Sequence, residues 1–76
     1  MSRGVKNWTH KKTIQFLKEN GFQLNHTRGS HFYFTGYINK AFRQVCVPFH
    51  GKGAIKPRTM NGIIKQSGIA KEIWFK

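Results

Sequence analysis

Between Phe22 and Val47 the apolar residues recur at every second position in three short runs separated by turn-forming residues. A period of two sends alternate side chains to opposite faces of an extended strand, so each run has one greasy face and one polar face. In the first run, residues 22–26, Phe22 and Leu24 share a face, and Thr27-Arg28-Gly29 then reads as a turn. In the second, residues 30–35, Phe32 and Phe34 point one way and His31, Tyr33 and Thr35 the other. Residues 36–41 read as a connecting loop around Asn39-Lys40. The third run, residues 42–47, sets Val45 and Val47 against Gln44 and Cys46. Pro48 ends it, having no N–H to give to a ladder.

Helical periodicity flanks this block. Ile14, Phe16 and Leu17 form an apolar stripe over residues 9–20, with Thr9 as N-cap and Asn20-Gly21 as the stop. Met60, Ile63 and Ile64 form a second stripe over residues 58–67; Pro57 suits its first turn, Thr59 is an alternative N-cap, and Gly68 closes it. Residues 1–8 read as a polar, basic, fraying extension. Residues 70–76 form a second extension, apolar enough at Ile73, Trp74 and Phe75 to pack back or to meet a partner. The expectation is one α+β domain over residues 1–76 with a core at about 9–69, ordered αβββα. Two helices with one stripe each, and strands with one greasy face each, pack most economically with both helices on the same sheet face. The other face is then bare and carries Gln23, Asn25, His31, Tyr33, Gln44 and Cys46.

Charge narrows the function. Fourteen Lys and Arg face two acids, Glu19 and Glu72, for a net charge of +12. The basic residues run from Arg3 to Lys76 without a discrete tail, which describes a whole domain in a positive field suited to a polyanion. An acidic protein partner is the second class this charge admits. A single cysteine, Cys46, allows neither an internal disulfide nor a cysteine-rich zinc site and suits a reducing cytoplasm. No apolar run reaches the roughly 18 residues of a membrane span, and no signal-peptide pattern is evident. Two acids at unrelated positions cannot build the carboxylate cluster of a two-metal nuclease, so RNA cleavage by such a chain is expected to need no metal and no cofactor.

RNA supplies its own nucleophile, the ribose 2′-hydroxyl, and its cleavage can run on proton transfer and a nearby cation. Histidine fits because its ordinary titration lies near neutrality. The strand pattern leaves two readings of His31 open: an acid–base group on the bare face, or a surface histidine packed against Tyr33. His50, in the Gly51-Lys52-Gly53 turn, is a phosphate ligand, a second proton-transfer group or a turn residue, with binding or structure favoured. His26 at a strand end and His10 in the first helical turn read as incidental. Arg28, Lys52 and Lys56 are candidate phosphate contacts. Gly29 serves backbone geometry or close phosphate approach. Ser30, read as facing the helices, hydrogen-bonds within the turn. Tyr33 is placed to stack a splayed base.

Four segments then carry a family resemblance: Leu17 to Phe22, Arg28-Gly29-Ser30-His31, Val45 to Lys52 with its Val-Pro-Phe-His-Gly turn, and Thr59 to Gly68. In this order and spacing, from about Lys12 to Ile69, the chain resembles the HicA toxins of bacterial and archaeal toxin–antitoxin systems. The extensions at either end, and Tyr37 in the connection, depart from the usual pattern. The resemblance implies a fold like the double-stranded-RNA-binding domain and metal-independent cleavage of mRNA as an endoribonuclease (an mRNA interferase). It implies that the Gly-Ser-His histidine, His31, is catalytic, and that a HicB-type antitoxin covers the active face. The competing classes are a non-catalytic double-stranded-RNA-binding module, which binds RNA without cutting it, and a protein-binding module, which ignores RNA even at low salt.

Overall fold

A computed structural model describes residues 8–49 and 53–75. Its order is α1 (His10–Glu19), β1 (Gln23–Arg28), β2 (His31–Ile38), β3 (Ala41–Pro48), α2 (Pro57–Ser67) and a short α3 (Lys71–Trp74). The strands form one antiparallel sheet with β2 in the middle. Among the described residues no helix is long and apolar enough to cross a membrane.

The sequence dictates both ends of α1. Thr9 is extended, and its Oγ1 accepts the Lys12 N–H at 3.1 Å, satisfying one of the unpaired amides of the first turn. At the other end Gly21 turns left-handed (φ 91°). The N–H groups of Gly21 and Phe22 then donate to the carbonyls of Lys18 and Leu17. This paired closure brings the fully buried Leu17 and Phe22 together and aims the chain into the sheet. Helix α2 opens on Pro57 behind Lys56, so Thr59 lies inside the helix rather than capping it. It closes on left-handed Gly68.

Both helices pack on one face of the sheet. Phe34, Val45 and Val47 from the strands meet Leu17, Met60 and Ile63, all at most 2% exposed. The bare face is the opposite one, as the strand periodicity requires.

Three local features depart from the sequence expectation. The expected loop at 36–41 is a two-residue turn, Asn39-Lys40, with both residues at positive φ (53° and 69°). Such a turn matches the natural twist of two strands, so β2 and β3 run right up to it. Gly36 belongs to the strand: a Cβ there would lie 3.1 Å from the Gly21 carbonyl oxygen, so glycine is what lets the end of α1 close on β2. The first hairpin turn is Gly29-Ser30, which leaves Thr27 and Arg28 in β1 and Ser30 exposed rather than facing the helices.

The terminal segments also contribute to the core. Trp8, read as part of a fraying extension, is 7% exposed. Its ring meets Trp74 of α3 edge-on at 5.2 Å and Phe16 at 5.7 Å, so α3 packs back on the domain. Residues 1–7 lie outside the described residues.

Arg43 on β3 reaches the C-terminus of α2, where a cation suits the helix dipole. A Cβ on Gly68 would stand 2.5 Å from its Nε. At Gly21, also left-handed, a Cβ would meet nothing within 4 Å. Gly21→Ala therefore carries only the left-handed strain, about 1–2 kcal/mol. Gly68→Ala adds displacement of the guanidinium, for a total of roughly 2–5 kcal/mol. In an Arg43→Ala background the two costs should converge. Urea unfolding of the single and double variants measures this coupling.

Candidate functional site

The bare face can be read in rows across the three strands. Arg28, His31 and Pro48 form the first, next to the Gly29-Ser30 turn. His26, Tyr33 and Cys46 form the second, Gln23, Thr35 and Gln44 the third. Tyr37 and Phe42 close the far end, 70% and 59% exposed, with their rings edge to face at 5.5 Å.

His31 is exposed on the central strand, with the Arg28 backbone directly opposite it on β1. Alternation leaves no other outcome, because Phe34 is buried beneath the helices and His31 is an odd number of residues away. Gly29 holds φ 60°, a conformation most side chains avoid, and nothing within 4 Å would meet a Cβ there; its role in the chain is the turn itself. Residues 23–48 contain no Asp or Glu, so this face has basic and neutral side chains only. Glu19 ends α1 and Glu72 lies in the first turn of α3. Among the described residues no three His, Cys, Asp or Glu gather as a metal site requires.

The sequence reading missed His26. Strict alternation put Asn25 on the bare face, and His26, at a strand end, read as incidental. The β1–β2 register instead slips between Leu24 and His26, so that Leu24 pairs with Phe34 and His26 with Tyr33. Asn25 is the extra residue of a β-bulge, and every position after it changes face. The His26 ring therefore stacks on Tyr33, centroids 4.5 Å apart and planes 11° from parallel. Its Nδ1 lies 2.7 Å from Asn25 Oδ1. No periodicity reveals a bulge; the one hint is Asn25, a poor strand former, in mid-strand.

The other candidates divide. Arg28, Gly29, Ser30, His31 and Tyr33 are brought together at the first two rows. Lys56 stands apart from them, exposed at the N-cap of α2 beside Ile55, whose N–H donates to the Trp8 carbonyl. His50 and Lys52 lie outside the described residues. His10 is structural: its ring sits edge-on to Phe32 and Phe49 at 5.0 and 4.7 Å, and its Nδ1 is 3.4 Å from the Pro48 carbonyl.

A shallow pocket of about 270 Å³ on the helical side, lined by Trp8, Lys12, Gln15, Phe16 and Glu19, holds none of the site residues. On the bare face His26, Arg28, His31 and Gln44 are exposed, and an open face of this kind suits an extended polymer better than an enclosed small molecule.

The outer edge of this platform is partly closed by α2. Gln66 Oε1 accepts the Cys46 N–H at 3.0 Å, pairing a strand amide that has no neighbouring strand. Gln66→Ala should cost about 0.5–1.5 kcal/mol and speed hydrogen exchange at the Cys46 amide more than at the Val45 amide. Two-dimensional NMR exchange measurements read both together.

Comparison with known families gives a match. The model of a family described as the HicA toxin of bacterial toxin–antitoxin aligns with residues 10–69, from the first residue of α1 to just past α2. No curated protein and no solved structure matches the chain.

Proposed function

Because the chain belongs to the HicA toxin family, we propose that it is an endoribonuclease that cuts mRNA without a metal, acting in the cytoplasm as an mRNA interferase of a type II toxin–antitoxin system. Family membership makes it a toxin and implies an antitoxin partner. The finer reading is carried by one observation: His31 is exposed on a sheet face free of carboxylates, next to Arg28.

In this reading the substrate's 2′-hydroxyl attacks the adjacent phosphorus, so no residue of the protein has to act as nucleophile. His31 transfers a proton in that step. Arg28 sits where a guanidinium can hold phosphate oxygens in its planar fork and offset the charge that builds on them. Gly29 and Ser30 leave the turn low enough for a backbone phosphate to approach. Tyr33 offers an unpaired base the ring face that His26 does not cover. Lys56, off the sheet at the N-cap of α2, and His50 and Lys52 of the sequence motif are proposed as further phosphate contacts. Metal independence is supported by the placement of both acids off this face. The antitoxin, of the HicB type, is proposed to cover the same platform, which would block RNA by occupancy alone.

The test is to incubate the pure protein, its His31→Ala variant and a chelator-treated sample with a defined RNA and to map the cleaved ends. The wild-type protein should leave 2′,3′-cyclic phosphate ends with or without chelator. His31→Ala should remain folded and cut about 10²- to 10⁴-fold more slowly. Undiminished cleavage by the variant would overturn the assignment of His31, and inhibition by chelator would overturn metal independence. Binding with no cut ends in any sample would leave a non-catalytic RNA-binding module. Binding should also weaken steeply with salt, because each phosphate contact releases a counterion.

A further inference from the structure

Cleavage by the 2′-hydroxyl needs two proton movements. One group takes the hydroxyl proton while another protonates the departing 5′-oxygen. A single histidine does not provide both at once. Building on the ribonuclease reading, we propose that His26 is the second proton-transfer group and acts as the base, with His31 as the acid.

Three observations carry this. The bulge at Asn25 turns His26 onto the bare face, the face of His31. Register then makes the two histidines diagonal neighbours across the β1–β2 ladder: His26 pairs with Tyr33 and His31 with Arg28. Diagonal positions lie about 7–8 Å apart. Two imidazoles on such stems can approach one phosphodiester from its two sides, each within the roughly 2.6–3.2 Å that proton transfer needs.

The second observation is the stack on Tyr33, which limits the directions open to the His26 ring. The third is the contact between His26 Nδ1 and Asn25 Oδ1 at 2.7 Å. An amide oxygen only accepts, so this contact favours the tautomer with the proton on Nδ1. In the neutral ring the lone pair is then on Nε2, the nitrogen away from Asn25. A base needs that choice of tautomer made in advance. An acid does not, because an imidazolium carries a proton on both nitrogens, and this assigns the acid role to His31.

The step balances as follows. His26 Nε2 takes the 2′-hydroxyl proton as the 2′-oxygen forms its bond to phosphorus. The bond from phosphorus to the 5′-oxygen breaks, and the 5′-oxygen takes a proton from the His31 imidazolium. The products are a 2′,3′-cyclic phosphate and a 5′-hydroxyl, with no external reagent. The groups facing His26 are Asn25 and Tyr33 in contact, Arg28 two residues along its own strand, His31 on the diagonal, and Cys46 beyond Tyr33.

A pair of substrates separates the two roles. One is a dinucleotide, whose leaving alkoxide needs a proton. The other is a nucleoside 3′-phosphodiester of nitrophenol, whose leaving group departs without one. On the dinucleotide both His26→Ala and His31→Ala should lose about 10²- to 10⁴-fold in rate. On the nitrophenyl ester His31→Ala should recover most of the wild-type rate, while His26→Ala and His26→Gln should not. The nitrogen shifts of the His26 ring by NMR should show a protonated Nδ1 and a bare Nε2 in the neutral protein, a preference that Asn25→Ala abolishes.

Wild-type rates for His26→Ala on the dinucleotide would overturn the proposal. So would recovery of His26→Ala rather than His31→Ala on the ester, or a proton found on Nε2. A wild-type protein inert toward both substrates would instead overturn the ribonuclease reading and this role with it.

Discussion

The one-sided burial of the sheet governs everything else in this molecule. Phe34, Val45 and Val47 go under the helices and lose nearly all their exposure. A slip of one residue in β2 or β3 would carry that apolar set into water and bring the polar set under the helices, so the core pins the register. What reaches solvent on the other face is therefore fixed by burial on this one. His31, Tyr33 and Thr35 are presented because Phe32 and Phe34 cannot be. Placing chemistry on the middle strand of a packed sheet holds it more firmly than a loop could.

A chain of this size has little core to spare, and it uses aromatic rings to make up the volume. Trp8, Phe16 and Trp74 close the helical side with edge-to-face and tilted contacts. The same chain carries a net charge of +12, whose self-repulsion opposes compaction. A polyanion or an acidic partner bound to the folded state alone relieves that repulsion and stabilises the fold by mass action. A polyanion and an acidic protein would thus compete for one electrostatic field, apart from any contact they share.

Much of this was legible from sequence where one local rule acted alone. Thr9, Gly21, Pro57 and Gly68 mark helix ends through capping chemistry, and all four ends lie within one residue of where those signals put them. The faces of β2 and β3 followed from alternation. The failures came where two rules competed. Gly36 looks like loop punctuation but sits in a strand because the end of α1 needs its missing Cβ. Asn39-Lys40 is a tight turn because both residues accept positive φ, a fact that composition shows only weakly for lysine. Trp8 joined the core through a contact with a helix more than sixty residues away in sequence, which no local window contains.

The bulge at Asn25 is the case in which a failed local rule changes what the bare face presents. Unbroken alternation through β1 would keep Leu24 on the core face and send His26 to that face as well. Leu24 does pair with Phe34 but stays 48% exposed at the sheet edge, so β1 gains little from burial there. Every residue of β1 is exposed, and an edge strand that buries so little tolerates an extra residue at small cost. The constraint that fixes the register of His31 is therefore weak at β1, and that weakness is what allows the second imidazole onto the same face as the first. A middle strand pinned by the core beside a permissive edge strand thus sets His31 by burial and His26 by a bulge.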